Sequence, residues 1–299
     1  MTTNINNSVN NALGERAMLA SLSVSVWSAR KHDNRISDKV ADEHGADRSM
    51  GHYAKHLLPR QLLTAVNAAN SALRDHHNLN TLAWGDDGTR ILPAANFFGY
   101  QQHQRTLEDN FYKAVRDFVA GYPDYVQAAR IALNGLFNQR DYPRADQIGR
   151  KFGVRRQFLP VAQPDDFRVT LGEEHVARIK ADIESRNIEL LDSANRDLWQ
   201  RVHAVTVRLV DRLGAYQVDP LDGSKTHPFR DSLIENIRAL LDIMPRLNLT
   251  ADAEINRIRQ LLAEKVACHD PEALREDPIL RGRVLDAATG ILAQMEGYC

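Results

Sequence analysis

Cysteine is scarce in this chain: Cys268 and Cys299 are the only two among 299 residues, and the second is the last residue. That excludes the disulfide framework of small secreted domains and points to a reducing compartment. Long apolar runs are missing too. Ile131 to Leu133, or Val205 to Val210 with Arg208 inside it, fall far short of the roughly 20 residues that span a bilayer. Neither charge dominates, with 38 Lys+Arg against 39 Asp+Glu, so no global field draws the molecule to nucleic acid or to an anionic membrane. Any such binding must come from a local patch. Glycine (16) and proline (11) are too few for a fibrous or low-complexity chain.

What remains is an ordinary globular composition, 43% hydrophobic and 26% charged, at a length that holds one large or two ordinary domains. Residues 1–12 are rich in Asn, Thr and Ser and have no basic segment ahead of an apolar one. They read as a disordered tail, not an export signal, which gives a cytoplasmic expectation.

The clearest strand signal runs from Leu19 to Trp27, where Leu22, Val24 and Val26 alternate with Ser21, Ser23 and Ser25. Ser37 is placed to cap a short helix ending near His44, and Arg60 to Asp75 reads as a longer amphipathic one. Leu82 and Trp84, then Gly85-Asp86-Asp87-Gly88, then Arg90-Ile91-Leu92 predict a β-hairpin. A helix follows Pro93 and is expected to stop at Gly121 and Pro123, with another over Asp124 to Asn138. Pro160 and Pro164 break the pattern, and the domain boundary is placed there.

Beyond Gly172, apolar residues from Val176 to Leu213 recur at threes and fours, predicting a helix with a coiled-coil-like seam, about 60 Å long at ~1.5 Å per residue. Helices over Phe229 to Met244, Ala251 to Cys268 and Pro278 to Met295, the first two separated by Pro245, would cover it. The fold class expected is therefore mainly α: a helical domain over residues 13–170 with a short strand and a β-hairpin, then a long-helix antiparallel bundle over residues 171–299.

Few motifs carry chemistry. His52 and His56 stand four apart, near His44, Asp47, His76 and His77, so two imidazoles sharing a helix face could hold a metal. Tyr53, Ala54 and Lys55 between them lack the glutamate of a zincin motif, and a solvated face explains them as well. Asp86 and Asp87 could ligate a hard cation, though Asp-Gly turn chemistry accounts for both. The strongest nucleic-acid candidate is the stretch holding Arg140, Arg144, Arg150, Lys151, Arg155 and Arg156 against Asp141 and Asp146, with Tyr142, Phe152 and Phe158 interleaved. Of these, Arg150, Lys151, Arg155 and Arg156 form the densest cluster. There is no Gly-rich phosphate loop, no nucleophile elbow and no zinc spacing, so the sequence marks no catalytic residue and no cofactor. An active site assembled only by folding, metal-dependent or otherwise, leaves no such mark.

Four segments carry a resemblance: Ser23 to Lys31 (SVSVWSARK), His52 to Leu58 (HYAKHLL), Leu82 to Gly88 (LAWGDDG) and Phe137 to Pro143 (FNQRDYP). Together they resemble a family of uncharacterised proteins encoded by bacteriophages and plasmids, a domain of unknown function. Its genes often lie near one for a MoxR-like AAA+ ATPase and one for a von Willebrand-type, cobaltochelatase-like protein. The resemblance covers the first ~170 residues and brings no catalytic residues. It implies an accessory role in the host cytoplasm: a protein-interaction or adaptor module acting with an AAA+ ATPase or with copies of itself. The alternative is a nucleic-acid-binding accessory of phage replication or recombination, with neither role involving a membrane.

Overall fold

The computed structural model describes residues 13–166, 172–218 and 224–298; the expected tail over 1–12 and Cys299 lie outside them. Helix accounts for 67% of the structure, and the fold class is mainly α. The described residues form two compact units, neither continuous in sequence: one takes residues 22–77 and 100–156, the other the described residues among 13–21, 78–99 and 157–298. The boundary read from the sequence at 170/171 is not where the structure divides.

The first unit is built on two helices, α2 (Thr64–Asn80) and α3 (Phe97–Leu133). Phe111, Val115, Phe118, Tyr122, Val126 and Ala129 of α3 recur at threes and fours and are all buried, one continuous apolar stripe. That stripe explains why the helix does not stop at Gly121 and Pro123, as the sequence reading has it. Pro123 has no N–H to give the preceding turn, but the residues on both sides of it bury into the same core. Tertiary burial outweighs one lost backbone bond.

Ahead of α2, strands β2 (Arg30–His32) and β3 (Ala54–His56) pair antiparallel, with Lys31 opposite Lys55, and flank helix α1 (Asn34–Glu43). Ser37 is not the cap of α1. Asp33 is, its Oδ1 accepting from the Ile36 amide at 3.3 Å, while Ser37 is buried inside the helix. The Ser37 hydroxyl donates to the Asp33 carbonyl at 2.9 Å and accepts from the Tyr53 amide at 2.9 Å. It therefore ties the helix start to the segment entering β3.

The second unit holds the predicted hairpin, β4 (Leu82–Ala83) and β5 (Arg90–Pro93), in a sheet of order β4-β5-β1-β6, to which this unit contributes residues 17–21 of β1 (Ala17–Ser25) and 157–160 of β6 (Gly153–Pro160). Its main helix is α4 (Glu173–Ala215), 43 residues and about 65 Å long. Buried positions concentrate in its second half, including Leu198, Val202, Leu209 and Leu213. Helices α5 (Ser232–Leu247), α6 (Ala253–Leu262), α7 (Pro271–Glu276) and α8 (Pro278–Met295) pack there, α8 with the bounds read from the sequence. Pro245 falls inside α5 and does not end it. Asp252 caps α6: its Oδ1 accepts from the amides of Glu254 and Ile255, and its Oδ2 from the Trp199 indole at 3.2 Å.

The hairpin joins this unit for a physical reason. Leu82, Trp84 and Ile91 share one core with Leu198 and Val202 of α4, and Asp197 accepts from the Ala83 amide at 2.7 Å and from Arg201 at 2.7 Å. Arg90 donates to the same Asp197 oxygen at 3.4 Å. Apolar burial and a shared carboxylate fasten a segment more than a hundred residues distant to the long helix.

Candidate functional site

The most built-up polar arrangement lies in the unit holding residues 22–77 and 100–156. Lys55, on β3, is 4% exposed, and its ammonium is surrounded by acceptors: Asp33 Oδ2 at 3.1 Å, Asp141 Oδ2 at 2.8 Å and the Leu136 carbonyl at 2.8 Å. An ammonium has three hydrogens, and all three are used. Burial acts against the charged form of Lys55, but the bonds to Asp141 and Asp33 outweigh it and raise its pKa. The Lys55 hydrogen bond, in turn, holds the Asp33 carboxyl below its usual range. Lys55 is thus a protonated pin with no lone pair to offer, which excludes a Schiff-base or general-base role for it.

Local chain geometry brings the three groups together. Asp33 sits at the start of α1, where capping fixes it. Asp141 follows the bend at Asn134, whose φ of 43° turns the chain after α3, and Asn138 Oδ1 holds the next turn by accepting from the Arg140 amide at 3.0 Å. Tyr142 locks the far end, its hydroxyl donating to the Leu57 carbonyl at 2.8 Å while its ring stacks on Phe137. A polar cavity of about 470 Å³ opens above the pin, lined by His32, Asn34, Arg35 and Asn138 besides the triad.

Across α1 lies a second, apolar groove of about 290 Å³, walled by Val40, Ala41, Ala46, Met50, Gly51 and Tyr53, with Ser37, His44, Asp47 and His52 at its edges. Met50 is 83% exposed, Val40 46% and Tyr53 37%. The loop carrying Met50 is stapled on both sides: ahead of it Arg48 makes a two-pronged bond to Asp42 at 2.7 and 2.9 Å and Asp47 accepts from the Ser49 amide at 2.8 Å, and beyond it the Tyr53 amide donates to the Ser37 hydroxyl at 2.9 Å. Exposed apolar side chains on a loop fastened this way are a presented surface.

The residues singled out from the sequence fare differently. His52 and His56 lie on extended chain, not on a helix face, which removes the geometric premise for their sharing a metal. His52 edges the groove with its ring 5.0 Å from that of His32, and His56 Nε2 contacts Arg60 at 3.1 Å. Burial, then the charges of Arg60 and Arg30, holds His56 below the ordinary histidine value. Among the described residues no group of three or more His, Cys, Asp or Glu is placed to hold a metal ion.

Asp86 and Asp87 sit in the β4–β5 turn of the other unit. Asp87 Oδ1 accepts from the Thr89 amide at 2.9 Å, the Gly85 amide bonds the Thr89 carbonyl at 3.1 Å, and Gly88 takes a φ of 84°. Turn geometry accounts for Asp87 and for the glycine.

The basic cluster is divided. Arg156 is taken up by Glu108 at 2.9 Å and Gln101 at 2.6 Å, whereas Arg150, Lys151 and Arg155 are exposed and make no ion pair among the described residues. Phe152 is buried against Phe118, so it is not free to stack on a base. The chain matches no protein-family description, no curated protein and no solved structure.

Sequence reasoning missed the Lys55 pin. Lys55 and Asp141 both lie within segments quoted for the resemblance, but 86 positions apart, and nothing in spacing joins them to Asp33. The one available signal was a lysine in a short β-prone segment that continues into Leu57 and Leu58, where a fully exposed charge is out of place.

Proposed function

We propose that the protein is a protein-interaction module whose docking face is the groove on α1. The observation that carries this reading is the gathering of Met50, Val40 and Tyr53, exposed, on a segment fastened to a buried ion triad. A flexible methionine flanked by a β-branched residue and an amphipathic ring suits an apolar partner surface, and a rigid platform lowers the entropy lost on docking. The saturated lysine beneath argues for positioning over catalysis. The motif resemblance supplies the partner class, an AAA+ ATPase encoded alongside, or a second copy of the chain, acting in the host cytoplasm. No helix among the described residues is long and apolar enough to cross a membrane.

The test is a photo-crosslinking residue at position 50, with the candidate ATPase co-expressed and the products weighed by mass spectrometry. A single adduct of defined mass, lost in Val40→Asp, supports the reading. Crosslinks spread over unrelated proteins, or an adduct indifferent to Val40→Asp, would remove it.

Nucleic-acid binding is the second reading, favoured by Arg150, Lys151 and Arg155, exposed and without acidic partners. If they contact phosphates, changing the three to Gln lowers the slope of log affinity against log salt by roughly 0.7–0.9 per contact.

A further inference from the structure

Arginines in the unit carrying α4 are mostly put to internal use. Arg238 donates to the carbonyls of Ala267 and His269, Arg259 to that of Leu241, and Arg275 to Asp231 at 2.6 Å. Arg281 lies 4.8 Å over the ring of Tyr216. Arg208, Arg212 and Arg230 make no such contact among the described residues, and all three line one cavity of about 360 Å³ between α4 and the start of α5.

Arg208 and Arg212 are one helical turn apart, so their charges repel on the same face, and Arg230 adds a third from the segment leading into α5. Among the described residues no acidic side chain lines this cavity; Asp231, next to Arg230, is occupied by Arg275, and Asp211, next to Arg212 on α4, is exposed and lies outside the lining. Three arginines thus line the cavity with no ion-pair partner among the described residues, on a chain whose formal net charge is −1. Ser232 and Asn236 add hydroxyl and amide donors at the rim, while Val205 and Leu233 give an apolar wall. The chain enters the cavity through His227, a non-glycine residue held at a φ of 51° just before Pro228; strained backbone of this kind gathers at ligand clamps.

We propose that this cavity binds a phosphate-bearing small molecule of nucleotide size. Guanidinium forks match phosphate oxygens two at a time, and the apolar wall takes the non-phosphate part of the ligand. The volume, about 360 Å³, lies at the lower end of the range for small-molecule pockets, the size of a mononucleotide. The site is independent of the groove on α1 and stands or falls without it.

Calorimetric titration of the full chain at low salt with ATP, with inorganic pyrophosphate and with a twelve-residue oligothymidylate tests this. The expected result is saturable one-to-one binding of ATP, displaced by pyrophosphate, and weakened about tenfold or more by Arg208→Gln or Arg212→Gln. All three arginines are exposed, so the variants should melt at the wild-type temperature, which separates lost binding from lost folding. Binding of the oligonucleotide alone overturns the proposal, as does ATP binding indifferent to these substitutions. No heat from either ATP or pyrophosphate, when screening is weakest, overturns it equally.

Discussion

At the scale of single residues, Lys55 is the position where charge and burial meet most sharply. Replacing it with methionine leaves Asp33 and Asp141 facing each other with no counter-charge, and is expected to destabilise by about 3–5 kcal/mol. Adding Asp33→Asn and Asp141→Asn to Lys55→Met should recover much of that loss, because the uncompensated charges go with the lysine; chemical denaturation of the single and triple variants checks both. The pH dependence follows from the directions of the two shifts. Asp33, depressed below 3.8, contributes stability that is present above that value and lost as pH falls through its lowered folded-state pKa. Lys55, raised above 10.5, contributes stability present below that value and lost as pH rises through its folded-state pKa. Denaturation midpoints measured across pH should thus fall at both extremes, and the acid limb should flatten in Asp33→Asn. None of this was legible in the sequence, since ion pairing across tens of residues leaves no periodic trace. Asp87 was legible, because an Asx turn is local and its chemistry is written in four consecutive residues.

At the scale of elements, the β4–β5 hairpin shows how far patterning reaches. Its turn and the burial of Trp84 were readable, as Leu82, Trp84 and the glycines specify them. Trp84→Ala should cost about 3–5 kcal/mol through the cavity it leaves among Leu82, Ile91 and the α4 side chains, while Asp86→Asn should leave the thermal midpoint unchanged. Asp252→Ala removes a helix cap and the partner of the Trp199 indole together, so its loss should exceed the ~1 kcal/mol typical of a cap alone. The length of α3 was not readable. Glycine and proline at 121 and 123 are strong local stop signals, and what overrides them is a stripe of buried residues whose partners lie elsewhere in the chain.

At the scale of the whole molecule, the long helix and α8 were evident from periodicity, but the division into units was not. A boundary drawn at Pro160 and Pro164 follows local composition, whereas the core of the α4 unit also takes Ala17, Leu82, Trp84, Ile91 and Val161. A fragment of residues 172–299 expressed alone should therefore melt at lower temperature and over a broader range than the full chain, as followed by circular dichroism; an unchanged, sharp transition would show that those side chains add little. The interleaving also sets a timetable for folding on the ribosome. Every residue of the unit ending at Arg156 has been synthesised before α4 begins, so that unit can close while the chain is still growing. Ala17 and Ile91 can pair their strands early, but they belong to a core that is completed only when residues as late as Met295 emerge, so the apolar face of those strands stays uncovered through most of synthesis.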